Sequence, residues 1–354
     1  MEKVQKVFAR SKKIYVGLED SKRSWKLCVR CQGIRIDALS IPADFNNLKN
    51  YLINGYPNCS ITVIYEAGFS GFWLHDKLQT VGINCIVTPP HTVTEEKCNK
   101  VKNDKIDARR LAKVLENNDY KTCFVPDINL REERQISRTL FQVQKIMVAT
   151  KNRIRKFFDF HGLNEGFKAG AWGVKEYRRV HQVTLSQPLA ESMNVLLTQL
   201  DLVNTQKKNL RNNLLKMANQ ERHKTTVDLL SSIPGMGRFT AIRLALEWGP
   251  VVQRFKNGRQ LASFVGFVGR EHSTGETEHK GHITKQGSSF VRHMIVECSW
   301  KAIGKDYALR EKYYNVLRNC GKKQIAIVAV ARKMTVRMFT LLKKEEMYKL
   351  DLAA

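Results

Sequence analysis

Between Ile14 and Pro90 the apolar residues come in runs too short for helices, punctuated by Gly, Pro and Asn. The runs are Ile14–Leu18, Trp25–Cys31, Ile34–Leu39, Ile61–Gly68 and Ile83–Pro90. Helical periodicity over Asp44–Asn54 and Gly71–Val81 separates the later ones. Short Ile- and Val-rich runs read as strands, and their alternation with helices predicts an α/β domain with a mixed sheet over residues 12–126.

The pattern then changes. Over 127–230 Gly and Pro thin out while Leu, Val, Lys, Arg and Gln recur at helical spacing, which predicts two long helices joined by a Gly-containing connection from about His161 to Gln187. An antiparallel coiled coil or dimerisation arm is one reading, and a bundle packed against its own chain is the other. The remaining segment, 231–354, reads as mainly α. Within it Ile233-Pro-Gly-Met-Gly237 lies between one helical run ending near Ser231 and another starting near Phe239, like the turn of a helix-hairpin-helix.

Charge limits the partners. The chain has 354 residues and a formal net charge of +27. Basic residues exceed acidic ones in all three segments, most densely in the last. Such a surplus favours a long polyanion, nucleic acid above all, and argues against a metabolic enzyme for neutral substrates. The longest apolar stretches, near Ile61–Tyr65 and Ile325–Val330, are far shorter than a membrane span, and the start of the chain does not read as a secretory signal. A cytoplasmic location with no membrane partner is expected. The eight cysteines are dispersed, and the close pair Cys28 and Cys31 has no second ligand pair at zinc spacing, so reduced thiols are expected.

Four acids stand out by position. Glu19 and Glu66 end predicted strands, and Asp104 and Asp107 lie three apart where a helix should begin. Positions i and i+3 share a helix face, and strand ends above a sheet bring further groups to the same place. Carboxylates so gathered could hold two Mg²⁺ ions for phosphodiester chemistry, with Lys102, Lys105, Arg109 and Arg110 binding phosphate beside them. Acids at strand ends and helix starts also serve capping and dipole roles, and spacing alone does not separate the two.

The stretches Tyr-Val-Gly-Leu-Glu-Asp-Ser-Lys at 15–22, Tyr-Glu-Ala-Gly-Phe-Ser-Gly-Phe at 65–72 and Lys-Asn-Asp-Lys-Ile-Asp-Ala-Arg-Arg-Leu-Ala at 102–112 resemble the DEDD transposases of the insertion sequence 110 group, which include bridge-RNA-guided recombinases. So do Ile-Pro-Gly-Met-Gly at 233–237, Phe-Val-Gly-Phe-Val-Gly-Arg-Glu-His-Ser-Thr-Gly at 264–275 and Gly-His-Ile-Thr-Lys-Gln-Gly at 281–287, in the family's order. The resemblance implies a RuvC-like N-terminal domain with a ribonuclease-H-like core, a coiled-coil middle and a C-terminal transposase domain with a nucleophilic serine. It places the metal tetrad on Glu19, Glu66, Asp104 and Asp107. The family usually has Asp at the first position, whereas this chain has Glu19-Asp20, so Asp20 is the alternate first ligand.

Ser273, in Arg-Glu-His-Ser-Thr-Gly, a polar, glycine-ended stretch that reads as a turn exposing a hydroxyl, aligns with the family serine, which is expected to attack a DNA phosphate and form a phosphoserine link. Thr274 is its nearest rival, and His272, Arg270, Lys285 and the acids are candidates to activate it. The backbone at Gly235 and Gly237 is a candidate phosphate contact, as are His282, Lys285, Arg292, Lys301 and Lys305. The resemblance thus implies a DNA recombinase that uses Mg²⁺ and a serine, is guided by a noncoding RNA and works as a homodimer or homotetramer. Its acids and serine would meet from different protomers near the bacterial nucleoid. The alternatives are a RuvC-like junction nuclease that cuts with water, and a nucleic-acid binder that has lost catalysis.

Overall fold

The computed structural model describes residues 12–90, 103–163, 172–249, 252–274 and 277–350. It divides into two compact units, Met1–Val125 and Pro126–Ala354.

In the first unit β1 (Lys13–Glu19), β2 (Ser24–Cys31), β3 (Ile34–Pro42), β4 (Ser60–Glu66) and β5 (Asn84–Thr88) form one sheet in the order β3-β2-β1-β4-β5. The first three strands are antiparallel neighbours, while β4 is parallel to β1 and β5 to β4. This is a mixed sheet of the predicted kind. Strand periodicity sorts its two faces. Ile14, Val16, Leu18, Ile61, Val63 and Tyr65 point to the side covered by α1 (Phe45–Gly55) and α2 (Trp73–Thr80), where they pack with Leu48, Leu52, Leu74 and Leu78.

The opposite face is covered by α3 (Asp104–Glu116), and Gly17 explains how closely the helix lies on it. A Cβ at Gly17 would come within 2.1 Å of the Ala108 carbonyl oxygen and 2.4 Å of the Ala112 nitrogen. Only a residue without a side chain lets helix and strand backbones approach so nearly. Leu111 and Leu115 complete the contact against Tyr15 and Ile64, so α3 runs antiparallel to β1. At its far end Glu116 accepts from Arg30 Nε and from the Gly33 N–H, each at 2.6 Å, tying the helix to the β2–β3 turn.

The second unit starts with α4 (Ile128–Phe160), which packs antiparallel on α6 (Gln187–Met217). Ile154 and Phe158 meet Met193 and Leu197, and Thr150 donates to Gln199 at 3.2 Å. The connection expected between them contains a short helix, α5 (Val174–Gln182), whose Tyr177 donates to Asp201. Then come α7 (Glu221–Ser231), α8 (Arg238–Trp248), α9 (Gly258–Val265), a hairpin of β6 (Gly269–Thr274) and β7 (Thr277–Ile283), α10 (Ser289–Ala302), α11 (Tyr307–Cys320) and α12 (Lys323–Lys344). Buried Arg134 of α4 donates to the Leu246 and Glu247 carbonyls at 2.7 and 2.9 Å, fixing α4 to the end of α8. Among the described residues no helix is long and apolar enough to cross a membrane.

Candidate active site and nucleic-acid interface

Because β1 and β4 are parallel neighbours with Leu18 opposite Tyr65, Glu19 and Glu66 leave the sheet side by side at its carboxyl edge. Glu19 has the parity of Tyr15 and Gly17, and Glu66 that of Ile64, so both belong to the face under α3. The helix brings its amino end to the same edge. Asn103 caps it by accepting from the Lys105 N–H at 3.0 Å, and Asp104 and Asp107 occupy its first turn, just before the Ala108 contact with Gly17. Four acids distant in sequence are therefore gathered by one strand pairing and one glycine.

Their mutual influence is electrostatic. Burial first, and then the carboxylates of Glu66, Asp107, Asp20 and Asp104 in falling order, push the Glu19 carboxyl up to about 7. The donor set is all hard oxygen, which suits Mg²⁺. Among the described residues, however, no three His, Cys, Asp or Glu side chains already stand where they could hold one metal ion. Asp107 also pairs with Arg110 at 3.4 Å. The acids are thus gathered without being closed on a ligand position.

Asp20 is used differently. Its carboxylate accepts the Ser70 N–H at 2.8 Å and so holds the loop after β4, in which the Tyr65 hydroxyl donates to the Gly71 carbonyl at 2.7 Å.

Beside α3 lies a cavity of about 290 Å³ lined by Cys28, Arg30, Arg35, Ile106, Arg109, Arg110 and Lys113. Arg109 and Arg110 were expected at such a surface, whereas Arg30, Arg35 and Lys113 were not. Counting by twos along β2 from Cys28, which packs on Ala108 and Ala112, would have put Arg30 on this face. Arg30 and Arg110 have carboxylate partners, and Arg35, Arg109 and Lys113 are exposed. Lys105 is exposed at the start of α3, and Lys102 lies outside the described residues.

In the second unit Ser273 lies on a strand, where a turn had been expected. Its backbone pairs with Glu278 near the tip of the β6–β7 hairpin, and Thr274 pairs with Thr277. The base of the hairpin is clasped by two glycines. Gly266 (φ +85°) and Gly287 (φ +70°) have backbone so close behind them that a Cβ would fall within 2.4 Å of Gln286 O and 2.2 Å of Phe264 O. This clasp accounts for Gly266 and Gly287 in the two motifs at 264–275 and 281–287. Arg292 reinforces it by donating from Nη1 to the carbonyls of Val265, Gln286 and Gly287, so that nitrogen holds the loop and is not turned toward a phosphate. Arg270, His282 and Lys285 are exposed, with Lys285 in the left-handed region at φ +55°.

The Ile233–Gly237 turn joins α7 to α8 as expected, but Gly235 is not open to a ligand on its α-carbon side. At φ +84°, its Cβ would meet Lys301 Cβ at 2.8 Å and Cys298 O and Ala302 N at 2.9 Å. The turn is pressed against α10. Gly237 has open space around it and begins α8 without a side-chain cap. Lys301 and Lys305 are exposed.

Comparison with known proteins adds two family matches. Residues 16–162 match a model for DEDD transposases of the IS110 group, described as "Transposase". Residues 227–315 match the "Transposase IS116/IS110/IS902 family". Among individual relatives, "Putative transposase y4qE" of Sinorhizobium fredii is 27% identical over 280 residues, covering 77% of this chain and 68% of its own length. "Transposase for insertion sequence element IS1111A" of Coxiella burnetii is 23% identical over 283 residues, covering 75% and 72% respectively.

Proposed function

The chain belongs to the IS110-group DEDD transposases, and from that premise we propose that it cuts and rejoins DNA strands using a metal held by acids of the first unit and a serine nucleophile of the second. The observation that carries the reading is the meeting of Glu19 and Glu66, at the ends of adjacent parallel strands, with Asp104 and Asp107 at the start of the helix that covers them. The strand order β3-β2-β1-β4-β5, with β2 antiparallel to both neighbours, supports a ribonuclease-H-like domain of RuvC type.

Glu19, Glu66, Asp104 and Asp107 would hold Mg²⁺, in one or two ions, and Asp20 keeps its place as tether of the 67–71 loop. When bound there, a divalent cation supplies positive charge to polarise a phosphoryl oxygen and to stabilise the oxygen that leaves. The chain's own residues do the rest. Arg35, Arg109 and Lys113 bind and orient backbone phosphates along the same helix.

Ser273 Oγ attacks phosphorus and loses its proton, the bond from phosphorus to one sugar oxygen breaks, and that oxygen departs as a hydroxyl. A hydroxyl of the second DNA strand then attacks the phosphoserine, which regains its proton as the new phosphodiester forms. The antiparallel pair α4 and α6 is the arm by which two or four protomers would assemble, so that acids and serine can come from different copies. The +27 charge supports a second polyanion, a structured guide RNA that selects the target.

The decisive experiment incubates protein, Mg²⁺, copurified RNA and supercoiled DNA carrying the element's ends. Wild type should give a protein–DNA adduct that survives detergent, and Ser273→Ala should give none. Continued cutting by Ser273→Ala without an adduct would instead establish a nuclease that uses water, and binding without cleavage by wild type a catalytically inert protein.

A further inference from the structure

A cavity of about 320 Å³ lies in the second unit, walled by α4, α6, α8, α10 and the turn before α8. Its lining includes Phe141, Arg211, Phe239, Arg243, Phe290 and Lys301. Arg243 is the unusual member. It sits in the middle of α8, among Ala241, Ile242, Leu244, Ala245 and Leu246, all buried, and is itself only 5% exposed. Its Nε donates to Ser137 Oγ at a long 3.4 Å, and its Nη2 is buried with no hydrogen-bond partner. The guanidinium lies 4.3 Å from the Phe290 ring and 5.2 Å from that of Phe239. Arg211 approaches the same Phe239 ring at 4.3 Å, so two cations flank one aromatic side chain.

Among the described residues no acid offsets this charge. Burial alone draws the Arg243 pKa down to about 10, with no neighbouring charge contributing, and a group with that value is still cationic at neutral pH. Glu297, exposed on α10, also lines the cavity but makes no ion pair with Arg243 among those described. The other buried arginine of this region, Arg134, shows how such a group is normally accommodated, with two backbone carbonyls and Glu247 around it. A buried guanidinium left unpaired is strongly unfavourable unless an anion completes it. The cavity also receives the amino end of α8, which no side chain caps, so its first N–H groups and helix dipole favour negative charge at the same place.

We propose that this cavity is a phosphoryl-binding site in which Arg243, supported by Arg211, Lys301 and the first turn of α8, holds one phosphate group. Arginine suits the task because its planar fork makes two parallel hydrogen bonds to phosphate oxygens, and the flanking phenylalanines fix the plane of the fork. The site extends the expectation attached to the Ile233–Gly237 turn, keeping the start of α8 beside Gly237 as a phosphate contact. The role of Gly235 is to let the turn pack on α10, while the ligand contacts come from α8 and the helices around it. The inference does not rest on the assignment of the acids or of Ser273, because its readout is anion binding.

The test follows thermal unfolding of the full chain while inorganic phosphate is titrated into a buffer free of multivalent anions, with chloride at matched ionic strength as control. Wild type should be stabilised to saturation. Arg243→Met should bind phosphate about tenfold or more weakly, yet melt no lower than wild type without phosphate, because an uncompensated charge has been removed. Arg211→Met, at an exposed position that folding tolerates, should weaken the response about threefold. If Arg243→Met melts lower without phosphate and responds to it as wild type does, Arg243 is a packing residue and the proposal is overturned. Binding of duplex DNA without terminal phosphates then separates two sources of the ligand. A log–log salt slope smaller by about one in Arg243→Met assigns the site to a backbone phosphodiester. An unchanged slope with a lost phosphate response assigns it to a free or terminal phosphate.

Discussion

The two units concentrate charge of opposite sign by different means. The first gathers carboxylates at the rim of a sheet, where pairing of β1 with β4 and the seating of α3 on Gly17 leave them partly exposed. The second encloses a guanidinium between helices and aromatic rings. The rim responds to its charge by retaining a proton, because a carboxyl can be neutralised within the ordinary pH range. The cavity cannot do this at neutral pH, because a guanidinium lowered only to about 10 keeps its charge. Glu19, crowded by its neighbours, can therefore hold a proton up to about pH 7 until a cation arrives, whereas a buried arginine needs its anion or bears the desolvation cost.

The sharpest way to break this contrast is to neutralise the rim. Glu66→Gln or Asp107→Asn should reduce Mg²⁺-dependent strand cleavage on the order of 10³-fold or more while leaving phosphate stabilisation of the second unit at its wild-type value. Asp20→Asn should act more mildly by loosening the loop at Ser70. A loss as large as that of Glu19→Gln would make Asp20 the ligand in its place.

A smaller effect comes from the helix seat. Gly17→Ala puts a methyl where the Ala108 carbonyl already lies, and overpacking of this kind costs about 1–3 kcal/mol or more. Chemical denaturation should show an earlier transition in the first unit only. If both units shift together, they unfold as one cooperative body and the comparison must be redrawn.

The smallest effect is a pH dependence. Burial and the neighbouring carboxylates push the Glu19 carboxyl up to about 7 in the fold against the ordinary 4.5, so between those values the folded state holds more protons than the unfolded. In metal-free buffer its contribution to stability is full below pH 4.5 and is lost as pH rises through 7. Glu19→Gln should flatten that slope, and Mg²⁺ at pH 8 should restore stability to wild type but not to the variant. Calorimetry across pH 5 to 8 checks both, and the cavity of the second unit should contribute no slope there.

The rim was more legible in the sequence than the cavity. Strand ends and an i, i+3 pair announce themselves in short patterns, so Glu19, Glu66, Asp104 and Asp107 could be singled out without coordinates. Gly17 read only as part of a strand, because its role lies in a helix that begins far along the chain. Arg243 read as one basic residue among many. Its meaning comes from Ser137, Phe239 and Phe290, which only tertiary packing brings around it. Ser273 was expected on a turn because Ser-Thr-Gly is turn chemistry, yet pairing with Thr277–Ile283 extends the strand past it.

The glycine clasp at 266 and 287 makes the hairpin a ruler. With its base pinned backbone to backbone, each residue along β6 moves the chain outward by roughly 3.4 Å, and a one-residue slip would turn every side chain over. Deleting two residues from each strand would therefore shorten the reach of residue 273 in a defined step. The span from anchor to tip becomes a dimension that can be set residue by residue.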